Sequence, residues 1–157
     1  MKHIRTLIVD DEPIARARLA RLLAQDPEIE LVGECRNGQE ALGSVAKHRP
    51  DLLFLDVQMP QMNGFEVVQQ IPRERLPFVV FVTAHDQYAL KAFDVNAVDY
   101  LLKPYDDERF FTSLERAKRH LDMNVNSRLT GKLMDLVREH MHANSEFIEH
   151  FTIKEKG

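Results

Sequence analysis

The chain has a single cysteine, Cys35, in 157 residues. That excludes an internal disulfide and any all-cysteine metal site, and leaves Cys35 as a small strand residue. No run approaches the roughly 20 apolar residues needed to cross a bilayer. The amino terminus, MKHIRTLIVDDE, lacks a signal-peptide layout, because its apolar stretch is short and ends in acids. The cytoplasm is therefore the expected location, and no membrane partner is expected. A basic excess is missing as well: the formal net charge is -4. Residues 1–121 carry 16 Lys/Arg against 19 Asp/Glu, and residues 122–157 carry 5 against 6. Neither part is a basic arm of the kind that binds nucleic acid. There is no short-period repeat and no low-complexity segment. The remainder is 44% hydrophobic and 29% charged. With this length, that composition suits one globular domain plus an appendage.

Within that domain, short apolar runs alternate with helical patterns. Thr6–Val9 is a β-rich run that stops at acids. Pro13–Ala24 places Ile14, Ala17, Leu19, Leu22 and Leu23 on roughly one face, which predicts a helix opened by a proline at its first turn. Glu30–Cys35 reads as a strand, Asn37-Gly38 as a turn and Gln39–Lys47 as a helix. Leu52–Leu55 runs into Asp56, and a helix from about Gly64 to Ile71 is stopped by Pro72. Phe78–Val82 ends in Thr83, Gln87–Phe93 is a short helix, Val98–Leu102 ends in Lys103, and Asp106–Leu121 is a long amphipathic helix. The order is β-α five times over. Continuous apolar strands belong to parallel sheets covered on both faces, so the fold class is a doubly wound α/β sheet. Beyond Leu121, Asn124-Val125-Asn126-Ser127 reads as a break. Leu129–His140 recovers a weak helical period, and Phe147–Ile153 alternates like one strand. A lone strand cannot form a domain, so the tail reads as a linker and the first piece of something absent.

The residues with chemistry fall at the strand ends. Asp10 and Asp11 end the first strand, Asp56 the third, Thr83 the fourth and Lys103 the fifth. In an open α/β sheet, ligands bind at the carboxyl ends of the strands, where the strand order switches. Carboxylates held together repel unless a cation shares them. Hard oxygen ligands on a small site point to Mg²⁺. With Lys103, such a cation would neutralise the oxygens of an incoming phosphoryl group. Asp56 would be the nucleophile, forming an aspartyl phosphate. The Thr83 hydroxyl could donate to a phosphoryl oxygen, and the small Ala84 leaves room over the site. Glu12 is expected to face solvent or to hold a metal-bound water.

LIVDDE, LLFLDVQMPQMNGFEVV, FVVFVTAHD and AVDYLLKP together resemble the receiver domain of two-component response regulators, over roughly residues 3–121. The resemblance implies a flavodoxin-like (βα)5 fold with strand order 2-1-3-4-5. It implies that Asp10 and Asp11 are the acid pair, Asp56 the phosphoacceptor, Thr83 the switch hydroxyl and Lys103 the family's lysine. The Gln58 backbone carbonyl would be a further Mg²⁺ ligand beside Asp10, Asp11 and Asp56. The Lys103-Pro104 bond would be cis, and Tyr100 would be the switch aromatic that turns inward with Thr83. Gln58 and His85, each two positions past a site residue, would tune the phosphoryl lifetime. Gln61 and Met62 depart from the smaller or more polar residues common in that loop, so the entrance is expected to be shaped differently.

HDQYALKAFDVNAVDYLLKPYDDERF further resembles receivers attached to LytTR-type (LytR/AlgR-like) DNA-binding domains, and FIEHFTIKEKG resembles the opening strand of such a domain. The implied organisation is a receiver at 1–121, a helical linker at 122–145 and the first strand of a truncated DNA-binding domain at 146–157. The implied partners are a cognate histidine kinase and a second copy of the chain, with DNA bound through the missing domain and not through this fragment. Dimerisation would use the face made by the fourth helix, fifth strand and fifth helix (α4-β5-α5: Gln87–Phe93, Val98–Leu102 and Asp106–Leu121). Phe93, Tyr100 and Phe110 or Phe111 lie on these segments, one of the last pair being needed for the core. Two other readings compete. A stand-alone receiver would act by protein contact alone. A metal-dependent phosphatase with an aspartyl phosphate would need an acid two residues after the nucleophile. Gln58 stands there, and an amide cannot shuttle that proton.

Overall fold

The computed structural model describes residues 3–84 and 97–140, with side chains through Met123. The chain divides into two units, Met1–Leu121 and Asp122–Gly157. The first contains five strands: β1 (Ile4–Val9), β2 (Ile29–Cys35), β3 (Leu52–Asp56), β4 (Phe78–Thr83) and β5 (Ala97–Leu102). All pair in parallel, in the order β2-β1-β3-β4-β5. Helices α1 (Pro13–Leu23), α2 (Gly38–His48) and α3 (Gly64–Gln70) and the start of α5 (Asp107–His140) supply the covering layers. The expected α4, Gln87–Phe93, falls in residues 85–96 and lies outside the described residues, as does the Phe147–Ile153 strand.

The apolar runs explain the layering. Every residue of β3 is buried, so both faces of the central strand need cover. On one face Val9, Leu53, Leu55 and Phe81 pack with Ala41 and Val45 of α2 and Val67 and Val68 of α3. On the other face Ile8, Phe54, Val80 and Val82 pack with Leu19, Leu22 and Leu23 of α1 and Phe110 and Leu114 of α5. Of the two α5 phenylalanines, Phe110 is the core residue: it is fully buried and stacks on Phe54 with ring centroids 5.5 Å apart. Phe111 is only partly buried.

The helices start where their sequences allow. Pro13 opens α1. The Asn37 side chain accepts the Glu40 amide at α2, and Asn63 and Glu66 form a reciprocal capping box at α3. One expectation fails at the other end. α5 runs unbroken to His140, through the Asn124–Ser127 stretch read as a break. That stretch holds neither proline nor glycine, and its residues cost a helix less than about 0.7 kcal/mol each.

Among the described glycines, the closest approach to other backbone lies next to β3. A Cβ on Gly64 would stand 2.6 Å from the Asp56 carbonyl oxygen and 3.1 Å from Val57 Cα. Both are backbone atoms that cannot swing aside. Gly64→Ala is expected to cost roughly 1–3 kcal/mol, read as a lower denaturation midpoint with an unchanged m-value. An unchanged midpoint would contradict the contact.

Candidate functional site

Parallel strands deliver their carboxyl ends to one edge, and there the fold gathers the residues singled out in the sequence. Asp10 follows β1, Asp56 ends β3, Thr83 ends β4 and Lys103 follows β5. Asp10, Asp56 and Thr83 are buried. Asp10, Asp11, Glu12 and Asp56 each offer a carboxylate oxygen, and these oxygens all lie within 4.8 Å of one another. Lys103 Nζ reaches across the sheet edge to Asp10 Oδ2 at 2.9 Å, Glu12 Oε1 at 3.1 Å and Asp56 Oδ2 at 3.8 Å. The Lys103 amide donates to the Thr83 carbonyl at 2.7 Å, tying the ends of β4 and β5 together. The Lys103-Pro104 peptide bond is cis.

The backbone also holds the acids in place. Asp10 Oδ1 accepts the Glu12 amide at 2.9 Å, and the Asp10 carbonyl accepts Arg16 Nη1 at 2.7 Å. Asp56 Oδ1 accepts the Gln58 amide at 3.2 Å. Burial, then the negative charge of Asp10, push the Asp56 carboxyl up to about 8. Lys103 and the Gln58 amide pull the other way and only partly offset this. Burial lowers the Lys103 ammonium, but the hydrogen bond to Asp10 and the charges of Asp56 and Asp10 outweigh it, so its pKa ends above the ordinary value.

The donor set suits a hard divalent cation. Several carboxylates converge, two of them on buried residues, and one lysine cannot balance them. Oxygen-only donors that leave open positions for water are what Mg²⁺ takes. Glu12 had been expected to face solvent or to hold a metal-bound water. Its side chain is 65% exposed, yet its carboxylate holds Lys103. It occupies the N-cap position of α1 without capping through its side chain, which frees the carboxylate for the lysine.

Other expected residues are placed as follows. Gln58 is exposed, with its amide on Asp56. Tyr100 is partly buried against the α2/α3 core. His85 lies outside the described residues. Of the loop residues expected to shape the entrance, neither Gln61 nor Met62 lines the open cleft of about 400 Å³ beside the site; Val57, Gln58, Met59, Pro60 and Asn63 do. Met62 turns toward α2 and packs on Gly38.

One group has no local sequence signal. The Asp99 carboxylate, 8% exposed, takes Arg109 at 3.0 Å, Arg116 at 3.1 Å and the Ser113 hydroxyl from α5, and its own neighbour's amide, Tyr100 N, at 2.8 Å. Arg109 also donates to the Tyr100 carbonyl at 3.1 Å. Burial raises the Asp99 carboxyl, but the Arg109 and Ser113 hydrogen bonds hold it below the usual range. The backbone on both sides of the Tyr100 ring is thereby clamped to α5.

Residues 6–115 match the family model described as the response regulator receiver domain. The chain is 52% identical over 116 residues to the transcriptional regulatory protein BtsR of Salmonella typhi, covering 74% of this chain and 48% of that protein. It is 45% identical over 134 residues to an uncharacterized response regulatory protein of Vibrio cholerae, covering 85% and 56%. The chain thus spans about half the length of the curated relatives it matches. Among solved structures, it is similar to the response regulatory domain of protein mrkE from Klebsiella pneumoniae, with 30% identity, a TM-score of 0.68, and 76% of this chain and 98% of that one covered. It is also similar to the receiver domain of AraT from Geobacillus stearothermophilus, with 34% identity, a TM-score of 0.69, and 76% and 96% covered.

Proposed function

This chain belongs to the response regulator receiver family of two-component systems, and from that premise we propose that Asp56 is its phosphoacceptor, loaded by a partner histidine kinase. The observation that carries this reading is the buried Asp56 carboxylate, set between the Lys103 ammonium and a cluster of further acids. A carboxylate oxygen of Asp56 attacks the phosphorus of a phosphohistidine. The P–N bond breaks, the imidazole leaves with a proton, and an acyl phosphate forms. Lys103 stands 3.8 Å from the attacking carboxylate and can pair with a phosphoryl oxygen once its hold on Glu12 loosens. Asp10, Asp11, Asp56 and the Gln58 carbonyl would hold Mg²⁺. When bound, that ion supplies the charge neutralisation that one lysine cannot.

The added charge, about -1.5 to -2, gives the Thr83 hydroxyl a new acceptor at the end of β4. Thr83 and Lys103 are joined through their backbones, so a shift of one moves the other. Tyr100, three residues before Lys103, is the aromatic that would turn inward. The face affected is α4-β5-α5, through which the phosphorylated chain would pair with a second copy. The output would be transcriptional, through a LytTR-type DNA-binding domain beyond residues 1–121 and the 122–145 linker; relatives named transcriptional regulatory proteins support this. Gln58 and His85 would set how long the phosphoryl group lasts. Gln58 offers no general acid, so the chain would hold its phosphate as a signal and not turn over phosphate esters.

The test is incubation with a small phosphodonor and Mg²⁺, read by intact mass. One added phosphoryl group is expected on the parent, and none on Asp56→Asn or without Mg²⁺. An unmodified parent, or equal modification of the variant, would sink the assignment.

A further inference from the structure

The loop between β3 and α3 is an arch of seven residues, Val57–Asn63, that carries the Gln58 amide onto Asp56. Its base is closed by the Gly64 amide on the Val57 carbonyl at 2.9 Å, and its own Met59 side chain is buried in the core cluster. Its far side has a different anchor. The Met62 side chain lies directly over the Gly38 Cα: a Cβ there would stand 2.7 Å from Met62 Sδ, 2.9 Å from its Cβ and 3.0 Å from its Cγ. Gln70 of α3 approaches the same sulfur at 3.9 Å. Just before this anchor, Gln61 holds φ at 71°, a left-handed conformation that a residue with a Cβ adopts only at a cost. Met62 closes the turn, its amide donating to the Pro60 carbonyl at 2.8 Å. An unfavourable backbone conformation persists only where the surroundings enforce it. Next to Gln61 the contact at hand is the thioether side chain seated on a glycine of α2.

We propose that Met62, seated on Gly38, is a positioning residue for the phosphoacceptor: it fixes the arch so that Gln58 keeps its amide on Asp56. Met62 touches neither Asp56 nor the acids in any described contact, and it acts through Gln58. This rests on the receiver reading given above. It makes α2, which supplies no site residue, a determinant of the site's cation affinity.

Three variants separate positioning from plain stability. Met62→Ala frees the arch. Gly38→Ala drives a Cβ into Met62 Cβ, an atom that can move only with the loop backbone. Met62→Leu keeps the Cβ and Cγ over Gly38 and replaces the nearer sulfur with a methyl carbon. Leu22→Ala, in the core cluster on the opposite face of the sheet, serves as the control that lowers stability without touching the arch. Mg²⁺ affinity of the unphosphorylated chain is measured by titration calorimetry, and hydrogen exchange of the Gln58 amide is followed without metal. Met62→Ala and Gly38→Ala are each expected to weaken Mg²⁺ binding roughly tenfold and to speed exchange at Gln58. Met62→Leu and Leu22→Ala should match the parent in both. The double variant Gly38→Ala/Met62→Ala keeps only the Cβ–Cβ contact of 2.9 Å and loses those to Cγ and Sδ, so its loss of Mg²⁺ affinity should be smaller than the sum of the two single losses. Tighter binding or parent-like values in both single variants, or full additivity in the double variant, would overturn the proposal. A parent that binds no Mg²⁺ and accepts no phosphoryl group would defeat the receiver reading itself. A functional parent with parent-like variants would defeat this inference alone.

Discussion

Without metal, Asp56→Asn is expected to be more stable than the parent by about 2–3 kcal/mol at pH 8 and nearly equal to it near pH 4. The cause is the crowding of charge at the sheet edge. An ordinary aspartate loses its proton near 3.8, whereas Asp56 in the fold holds it up to about 8. Between those values the folded chain binds more protons than the unfolded one, so stability falls as pH rises through the window. The stability is fully present below the lower value and lost above the upper one. Asparagine has the same shape and no charge to desolvate, so its variant escapes this fall. The figure is about half of what the whole shift would give at about 1.4 kcal/mol per unit, because Asp10 shares the repulsion. Urea midpoints from pH 4 to 8.5, with a chelator present, check the trend. Adding Mg²⁺ should raise the parent alone, by about 2.7 kcal/mol at a hundredfold excess over its dissociation constant. A pH-independent difference between the two proteins would show that Asp56 is not held protonated by its surroundings.

Lys103→Met should split two properties that a merely structural lysine would move together. The Lys103 side chain is 18% exposed and bridges Asp10, Glu12 and Asp56. Removing it leaves buried carboxylates without their cation, and breaking such a buried pair costs about 3–5 kcal/mol. Mg²⁺ competes with the ammonium for the same oxygens, so its affinity should rise in the variant. Phosphoryl acceptance should nevertheless fall by roughly 10²–10³-fold, the usual effect of losing one donor aimed at developing negative charge. Titration calorimetry gives the first quantity, and the rate of mass gain at saturating Mg²⁺ the second. Weaker Mg²⁺ binding would mean that the lysine organises the acids instead of competing for them.

How far the site was legible in the chain depends on the range of each interaction. Asp10, Asp56, Thr83 and Lys103 could be placed because each ends an apolar run, and parallel strands carry such ends to one edge. The same runs gave the element order and, through the family resemblance, the strand order. Glu12 faces solvent as expected, but its ion pair with Lys103 went unread because that partner is 91 residues away and nothing local announces the pair. Asp99 escaped for the same reason: its partners sit 10 to 17 residues on, across a strand-to-helix turn. Gly38 read only as a turn residue, since its contact with Met62 exists only once α2 and the arch are packed. The break expected at Asn124–Ser127 was a composition argument, and mild helix-formers do not stop a helix already under way.

The two outermost strands share a feature that bears on how copies of this chain can meet. β2 is out of step with β1 between Thr6 and Leu7, where Val32 is skipped, and β5 is out of step with β4 between Val79 and Val80, where Val98 is skipped. Each shift interrupts the regular ladder on a border strand, and an irregular edge is a poorer template for pairing than a straight one. A further strand, from a sister molecule or a misfolded neighbour, would find no straight template at either margin. The sheet therefore resists growing sideways into ribbons or fibrils. Any pairing of copies would then fall to side chains on the outer layers, whose contacts can be made and released.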